Sequence, residues 1–160
     1  MVKFKTVTGD TDIQIVVDLS VEIWTEHYVP IIGNSQVAYM LNKFLSPEAI
    51  QCQRIDGICY KLILLGSETI GYFAFKRDKI DIFLSKLYVS KKLRGQGIGR
   101  ECIDWLFNVY SPNVISLSVN KYNLKTVRFY QSNGFKIIDD VVVDIGGGFV
   151  MDDYVMEARR

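Results

Sequence analysis

The sequence is short of the residues that most often carry chemistry. A single histidine, His27, stands among 160 residues, which excludes a histidine-rich zinc site and gives no reason to expect a metal. The three cysteines, Cys52, Cys59 and Cys102, are odd in number and show no C-x-x-C spacing. Neither a disulfide framework nor a thiolate metal site is expected from them; each sits in an apolar pattern and reads as buried filler. No apolar run approaches the length of a membrane helix, and the opening "MVKFKTVTGD" lacks the apolar stretch of a signal peptide. A cytoplasmic domain with reduced thiols is the expectation. Neither sign of charge dominates: 19 Lys and Arg face 18 Asp and Glu, a formal net charge of +1. That balance offers no global attraction for nucleic acid or anionic membrane, so neither is expected as a partner. Repeats, low-complexity tracts and linkers are absent too. The length then fits one domain over 1–160, and 49% hydrophobic content is enough for a core.

What is present is a clear alternation of periodicities. "KFKTVT" reads as a short strand. From Asp12 to about Tyr28, the residues Ile13, Val16, Val17, Ser20, Trp24 and His27 or Tyr28 recur at helical spacing, with Pro30 as the stop. A second helix is expected over Ser35 to Phe44. A third follows Ser46-Pro47-Glu48, which supplies an N-cap, a first-turn proline and an early acid. Cys59–Leu65 and Ile70–Lys76 read as a hairpin, and Ile80–Val89 as the next strand. A helix with Ile98, Cys102, Ile103, Leu106 and Phe107 as its apolar stripe comes next, then a strand over Val114–Asn120. "LKTVRFYQS" is a short helix closed by Asn133-Gly134. "FKIIDDVVVD" and "YVMEA" are final strands, joined through Gly146-Gly147-Gly148, a connection expected to be mobile. This order predicts an α/β (α+β) fold with a sheet of mixed direction.

Between Val89 and the Ile98 helix lies Arg94-Gly95-Gln96-Gly97-Ile98-Gly99. It is not a Walker loop, which needs Gly-Lys-Ser/Thr, nor a dinucleotide fingerprint, which would need glycine where Arg100 stands. Glycines here let a ligand approach the backbone, and N–H groups at a helix start suit phosphate. Lys91, Lys92, Arg94 and Arg100 add positive charge. Taken alone, a glycine-rich turn with a solvated basic rim explains the stretch equally well.

The turn resembles the Arg/Gln-x-x-Gly-x-Gly/Ala signature of the GNAT superfamily of acyl-CoA-dependent N-acyltransferases. That family's second segment, N-x-x-A-x-x-F-Y-x-x-x-G-F, is matched by Asn123, Phe129, Tyr130, Gly134 and Phe135, with Thr126 in place of the alanine. The "LYV" strand end before the turn is also similar. The resemblance covers about Ile70 to Phe135 well and the N-terminal helices loosely.

It implies a mostly antiparallel sheet of about seven strands, flanked by helices and splayed where acyl-CoA binds. The implied reaction is transfer of acetyl from acetyl-CoA to a primary amine, by direct attack in a ternary complex and without metal. Leu87, Tyr88 and Val89 would then run beside the pantetheine arm. The backbone of Arg94, Gly95, Gln96, Gly97, Ile98, Gly99 and Arg100 would take the pyrophosphate, and Tyr130 would be the general acid. Asn123 reads either as a helix N-cap or as a group near the CoA arm. Where many relatives carry a glutamate, this chain has Phe83. Asp81, two residues earlier, is then the candidate base acting through water, with Glu22, Glu26 and His27 as other options. Trp24, Glu26, His27 and Tyr28 are candidates for the acceptor site. Tyr39, Met40 and Phe44 could help to wall it, and the late acids Asp139, Asp140, Asp144, Asp152 and Asp153 could attract a cation.

The opening "IWTEHYVP" and the ending "GFVMDDYVMEARR" are similar to a branch that includes polyamine N-acetyltransferases, which suggests a di- or polyamine or another small amine. A protein N-terminal acetyltransferase, a catalytically idle acyl-CoA-binding module and a nucleotide-binding domain remain as alternatives. An exposed terminal strand could pair with its mate in a homodimer.

Overall fold

A computed structural model describes residues 1–160. The elements run β1 (Lys3–Thr6), α1 (Asp10–His27), α2 (Val29–Ile32), α3 (Asn34–Leu45), α4 (Pro47–Ile55), β2 (Ile58–Leu65), β3 (Glu68–Asp78) and β4 (Asp81–Val89). After a 3₁₀ turn at Lys91–Leu93 come α5 (Ile98–Tyr110), β5 (Ile115–Asn120), α6 (Leu124–Ser132), β6 (Lys136–Gly146) and β7 (Phe149–Ala158). The strands form one seven-stranded sheet in the order β1-β2-β3-β4-β5-β7-β6. All neighbours are antiparallel except β4 and β5, which run parallel. The mixed direction is as the order of elements predicts, and the seven mostly antiparallel strands flanked by helices are as the family resemblance implies.

Helices cover both faces. On one, the α5 stripe of Ile98, Cys102, Ile103, Leu106 and Phe107 packs with Phe73, Phe75, Ile115, Leu117 and Met156 of the sheet, and α6 adds Val127 and Tyr130. On the other, α1, α3 and α4 contribute Ile13, Val16, Trp24, Val37, Met40 and Ile50 over Tyr60, Leu62, Tyr72 and Ala74. Burying each such stripe supplies the tertiary stabilisation that helices of 9 to 18 residues lack on their own.

Four local readings differ from the sequence expectation. Pro30 does not merely stop α1, which ends at His27; it opens α2, at a first-turn position where its missing N–H costs nothing. Cys52 is exposed, because α4 turns Ile50 rather than Cys52 to the core. β7 is ten residues long, not five: the Asp152-Asp153 doublet hides its alternation, yet Asp153 is buried. The Gly146–Gly148 connection is a tight hairpin turn, and Tyr39 Oη donates to the Ile145 carbonyl at 2.7 Å, which fastens it to α3.

The feature that positions the site is a bulge. In the β3–β4 ladder Ala74 pairs with Lys86 but Phe75 with Leu84, leaving Ser85 extra. The extra residue shifts the side-chain alternation and twists the strand. β4 meets β5 only at Ile82–Ile115 and Phe83–Ser116, before the bulge. Beyond it the two strands part, and a cleft opens.

Candidate active site

The cleft has a volume of about 990 Å³. One wall is backbone. Ser90 N–H bonds Ile70 at 2.8 Å, so the antiparallel alternation engages Tyr88 and Lys86 with β3 and turns the peptide groups of Leu87 and Val89 toward the cleft. At its end the Gly95–Gly97 turn enters α5. Gly95 and Gly97 lie at φ +78° and +83°, where a Cβ is disfavoured. Gly99 serves a different purpose: a Cβ there would come within 2.7 Å of the Phe129 ring, so its absence lets α6 pack against α5.

None of the six consecutive N–H groups from Gly95 to Arg100 donates to a protein acceptor; the first helical bond is Glu101 N–H to Gly97 at 3.0 Å. The Arg94 N–H is not among them, since it closes a turn onto Lys91 at 3.3 Å. These free donors stand at the positive end of a thirteen-residue helix, an arrangement that suits an anion. Lys91, Arg94, Arg100 and Lys125 line it, whereas Lys92 and Gln96 stand outside.

The opposite wall is made of side chains. From the end of α1 come Trp24, Glu26 and His27, with Tyr28 just after it; α3 adds Met40, and β7 adds Met151 and Asp153. Tyr39 and Phe44 lie elsewhere. Trp24 and Tyr28 pack at 4.5 Å between centroids, and Tyr88 of β4 approaches them at 5.9 and 6.3 Å. Burial raises the phenols of Tyr28 and Tyr88 above the ordinary tyrosine value, so both stay protonated.

Tyr130, from α6, is 6% exposed and lines the cleft between the walls. Burial, then neighbouring Tyr28 and Cys102, raise its phenol as well, and no hydrogen bond from protein reaches the hydroxyl. A core tyrosine with its hydroxyl satisfied by backbone would look different. Asn123 holds the N-cap position of α6 without making a side-chain cap bond. Its Oδ1 instead accepts from His27 Nε2 at 3.0 Å, while Arg94 Nη1 lies 3.4 Å from His27 Nδ1. Because arginine only donates, His27 carries its proton on Nε2. Burial lowers the imidazole below its ordinary value, Arg94 and Lys125 lower it further, and the Asn123 bond opposes them. Arg94 Nε also donates to the Val89 carbonyl at 2.9 Å, so one side chain spans the strand end, the turn and α1.

Asp81 is not brought into this cleft. It is exposed at the far end of β4, before the bulge, opposite Asp78 of β3, and does not line the cleft. Phe83 and Glu22 also lie outside. Among the late acids, Asp152 pairs with Lys121 at 2.8 Å; Asp153 alone enters the cleft, 4% exposed. Burial first, then Asp152, raise its carboxyl to about 6, against a smaller opposing effect of Lys121. In the sequence it was one acid in a cluster, with nothing to mark it off from its neighbour.

Several solved structures share this architecture. The PaiA N-acetyltransferase of Thermoplasma acidophilum, in complex with coenzyme A, is 19% identical with a TM-score of 0.79, over 100% of this chain and 99% of its own. The acetyltransferase of Thermus thermophilus is 20% identical, TM-score 0.72, over 97% and 96%. The ribosomal-protein-S18-alanine N-acetyltransferase of Escherichia coli is 12% identical, TM-score 0.73, over 99% and 94%. At these identities the likeness is one of fold. No curated protein matches the chain in sequence. The sequence profile of the acetyltransferase (GNAT) domain matches residues 29–154, most of the chain, and with that match the chain belongs to the GNAT acetyltransferases.

Proposed function

We propose that this enzyme transfers acetyl from acetyl-CoA to a primary amine by direct attack, with both substrates in the cleft together. The observation that carries the reading is the pairing of six unpartnered N–H groups at one end of the cleft with the unbonded Tyr130 hydroxyl at the splay. The residues present fit an acyl-CoA. The Gly95–Arg100 donors suit a pyrophosphate, and the outward peptide groups of Leu87 and Val89 suit an extended amide-bearing arm. The bound thioester supplies an activated acyl carbon.

The chain's own residues do the rest. Backbone N–H groups at the splay can polarise a carbonyl oxygen. Tyr130, kept protonated by burial, donates to the departing sulfur. Its phenol stays neutral across the working pH range and is strengthened as a donor once negative charge forms beside it. His27 and Arg94 brace α1 against the turn, holding the two walls in register.

The test is free-thiol release from acetyl-CoA across a panel of amines, together with the melting-temperature shift caused by acetyl-CoA and by ATP. A shift with acetyl-CoA and release with one amine class is the expected result. A shift without release from any amine would favour an idle binding module, and a shift with ATP alone would replace the reading.

We extend the proposal to assembly. β6 lies at the sheet edge and exposes Ile137, Ile138, Val142 and Val143, which supports pairing with a second copy. Sedimentation of Val142→Lys beside the parent protein tests it; a monomeric parent would end it.

A further inference from the structure

Resting on that reading, we propose that Asp153 is the acceptor-side catalytic carboxylate: it receives a primary ammonium inside an aromatic-walled pocket and takes its proton. It follows that the acceptor is a monoamine with an apolar body rather than a polyamine. Asp153 sits on the face of β7 that also carries Met151, turned toward α1 and α3. Its strand register sets it opposite Asn120, at the end of β5 beside the splay. It is 4% exposed, yet no protein donor bonds it. A carboxylate so buried and so unpaired is held for a partner that arrives with a ligand.

A second, independent observation concerns the same cleft. The Trp24 indole nitrogen is buried without any acceptor, on a side chain 6% exposed that lines the same cleft. An indole donor without an acceptor and a carboxylate that no protein donor bonds line one cleft. Trp24, Tyr28 and Tyr88 supply ring faces, which favour an organic cation. Ile23, Ile32 and Met40 make the remainder apolar.

The charge inventory sets the substrate class. Asp153 is the one buried acid of this wall; Glu26 is exposed at the rim. Lys86 also lines the cleft, held by Gln53 at 2.9 Å, its pKa lowered by burial to about 8, and it offers no negative site for a second ammonium. One buried negative site with apolar walls matches one ammonium on a hydrocarbon or aryl body.

The proton balance closes. Asp153 takes a proton from the ammonium, and the nitrogen lone pair forms the C–N bond as the C–S bond breaks. Sulfur takes the Tyr130 proton, Tyr130 regains one from the new amide nitrogen, and the proton on Asp153 leaves to solvent.

The groups that face Asp153 or share its cleft are Asp152 of its own strand, Lys121 from the β5–α6 turn, Glu26 and His27 of α1 with Tyr28 after it, Lys86 and Tyr88 of β4, Tyr130 of α6, and the cations Lys91, Arg94, Arg100 and Lys125. The His27 imidazole, lowered by burial, shares the cleft, so the variant, not the profile alone, makes the assignment.

The experiment measures acetyl-CoA affinity by calorimetry, and kcat/KM for phenethylamine and for spermidine from pH 5 to 9, in the parent and in Asp153→Asn. The parent should prefer phenethylamine and show a limb rising through about pH 6. Asp153→Asn should bind acetyl-CoA as the parent does, lose roughly 100-fold in kcat/KM and lose that limb. A parent that prefers spermidine, a parent with no such limb, or a variant that keeps both rate and limb would overturn this inference while the transferase reading stands. A parent that does not bind acetyl-CoA would overturn both. If Asp153→Asn fails to fold, Asp153→Glu takes its place: the limb should move with the changed carboxylate, and an unmoved limb would overturn the inference.

Discussion

The two walls of the cleft are built from different materials. The wall of Leu87, Val89 and Gly95–Arg100 is peptide backbone, shaped by a bulge and by glycines at positive φ. The wall of Trp24, Tyr28 and Asp153 is side chains from elements far apart in sequence. A backbone site needs only the local sequence that gives the chain its turn, and it suits a ligand part that never varies. A side-chain site needs the whole fold to converge, and each of its residues can be exchanged without disturbing the turn. The first wall thus suits a constant co-substrate, and the second a chosen one.

The largest effect should come where the walls meet. Tyr130→Phe is expected to lower the rate of thiol release by about 10²- to 10⁴-fold while leaving calorimetric acetyl-CoA affinity unchanged. Unaltered turnover would remove Tyr130 from the chemistry.

The next contrast concerns stability. The carboxyl of Asp153 is raised from an ordinary value of 3.8 to about 6, so the folded state holds its proton more tightly than the unfolded chain does. Folding stability therefore falls as pH rises from about 4 to 6, and above that window the buried charge costs the fold on the order of 3 kcal/mol. Asp153→Asn should accordingly be more stable than the parent at pH 7.5 by urea denaturation, with the advantage gone below pH 4. An equal difference at both values would show that charge is not the cause. No such gain is expected on the backbone wall.

Glycine substitution separates turn geometry from ligand contact. Gly97→Ala, at φ +83°, should cost about 1–2 kcal/mol in stability. It should also weaken acetyl-CoA binding by roughly 10-fold, equivalent to 1.4 kcal/mol. Gly66→Ala, at φ +63° in the β2–β3 hairpin with open space around it, should show a similar stability cost and unchanged acetyl-CoA affinity. Equal losses of affinity in both would place the effect in the fold rather than in the turn.

The smallest effect is electrostatic. Arg94→Ala removes a charge at the rim and the brace to Val89 and His27. Acetyl-CoA affinity should fall only a few-fold and lose part of its salt dependence, because exposed charges are screened beyond about 8 Å at physiological ionic strength. A loss as large as that of Gly97→Ala would mean that the brace, not the charge, organises this wall.

Much of the backbone wall was legible before folding. Arg94 to Gly99 and the Asn123–Phe135 segment are contiguous, and the α5 stripe follows from 3.6-residue spacing alone. Gly99 was legible as a residue but not as a role, since its contact is with Phe129, thirty positions on. The side-chain wall was half legible: Trp24, Glu26, His27 and Tyr28 are near neighbours at the end of α1. Asp81 was misplaced because strand alternation tells which face a side chain takes and not which end of the strand meets the cleft. Asp153 was named only as one of the late acids, because an Asp-Asp doublet looks like a solvated turn.

What the sequence by itself determined was the order of elements, the glycine-rich turn at the start of α5 and the tyrosine of the second segment. These depend on periodicity and on local backbone freedom, both written over a few residues. Only the tertiary structure decided where the sheet opens and which carboxylate is buried there. The extra residue at Ser85 parts β4 from β5, and the register of β7 against β5 turns Asp153 inward and leaves Asp152 to Lys121. Burial is a property of everything packed around a group, and no stretch of chain carries it alone.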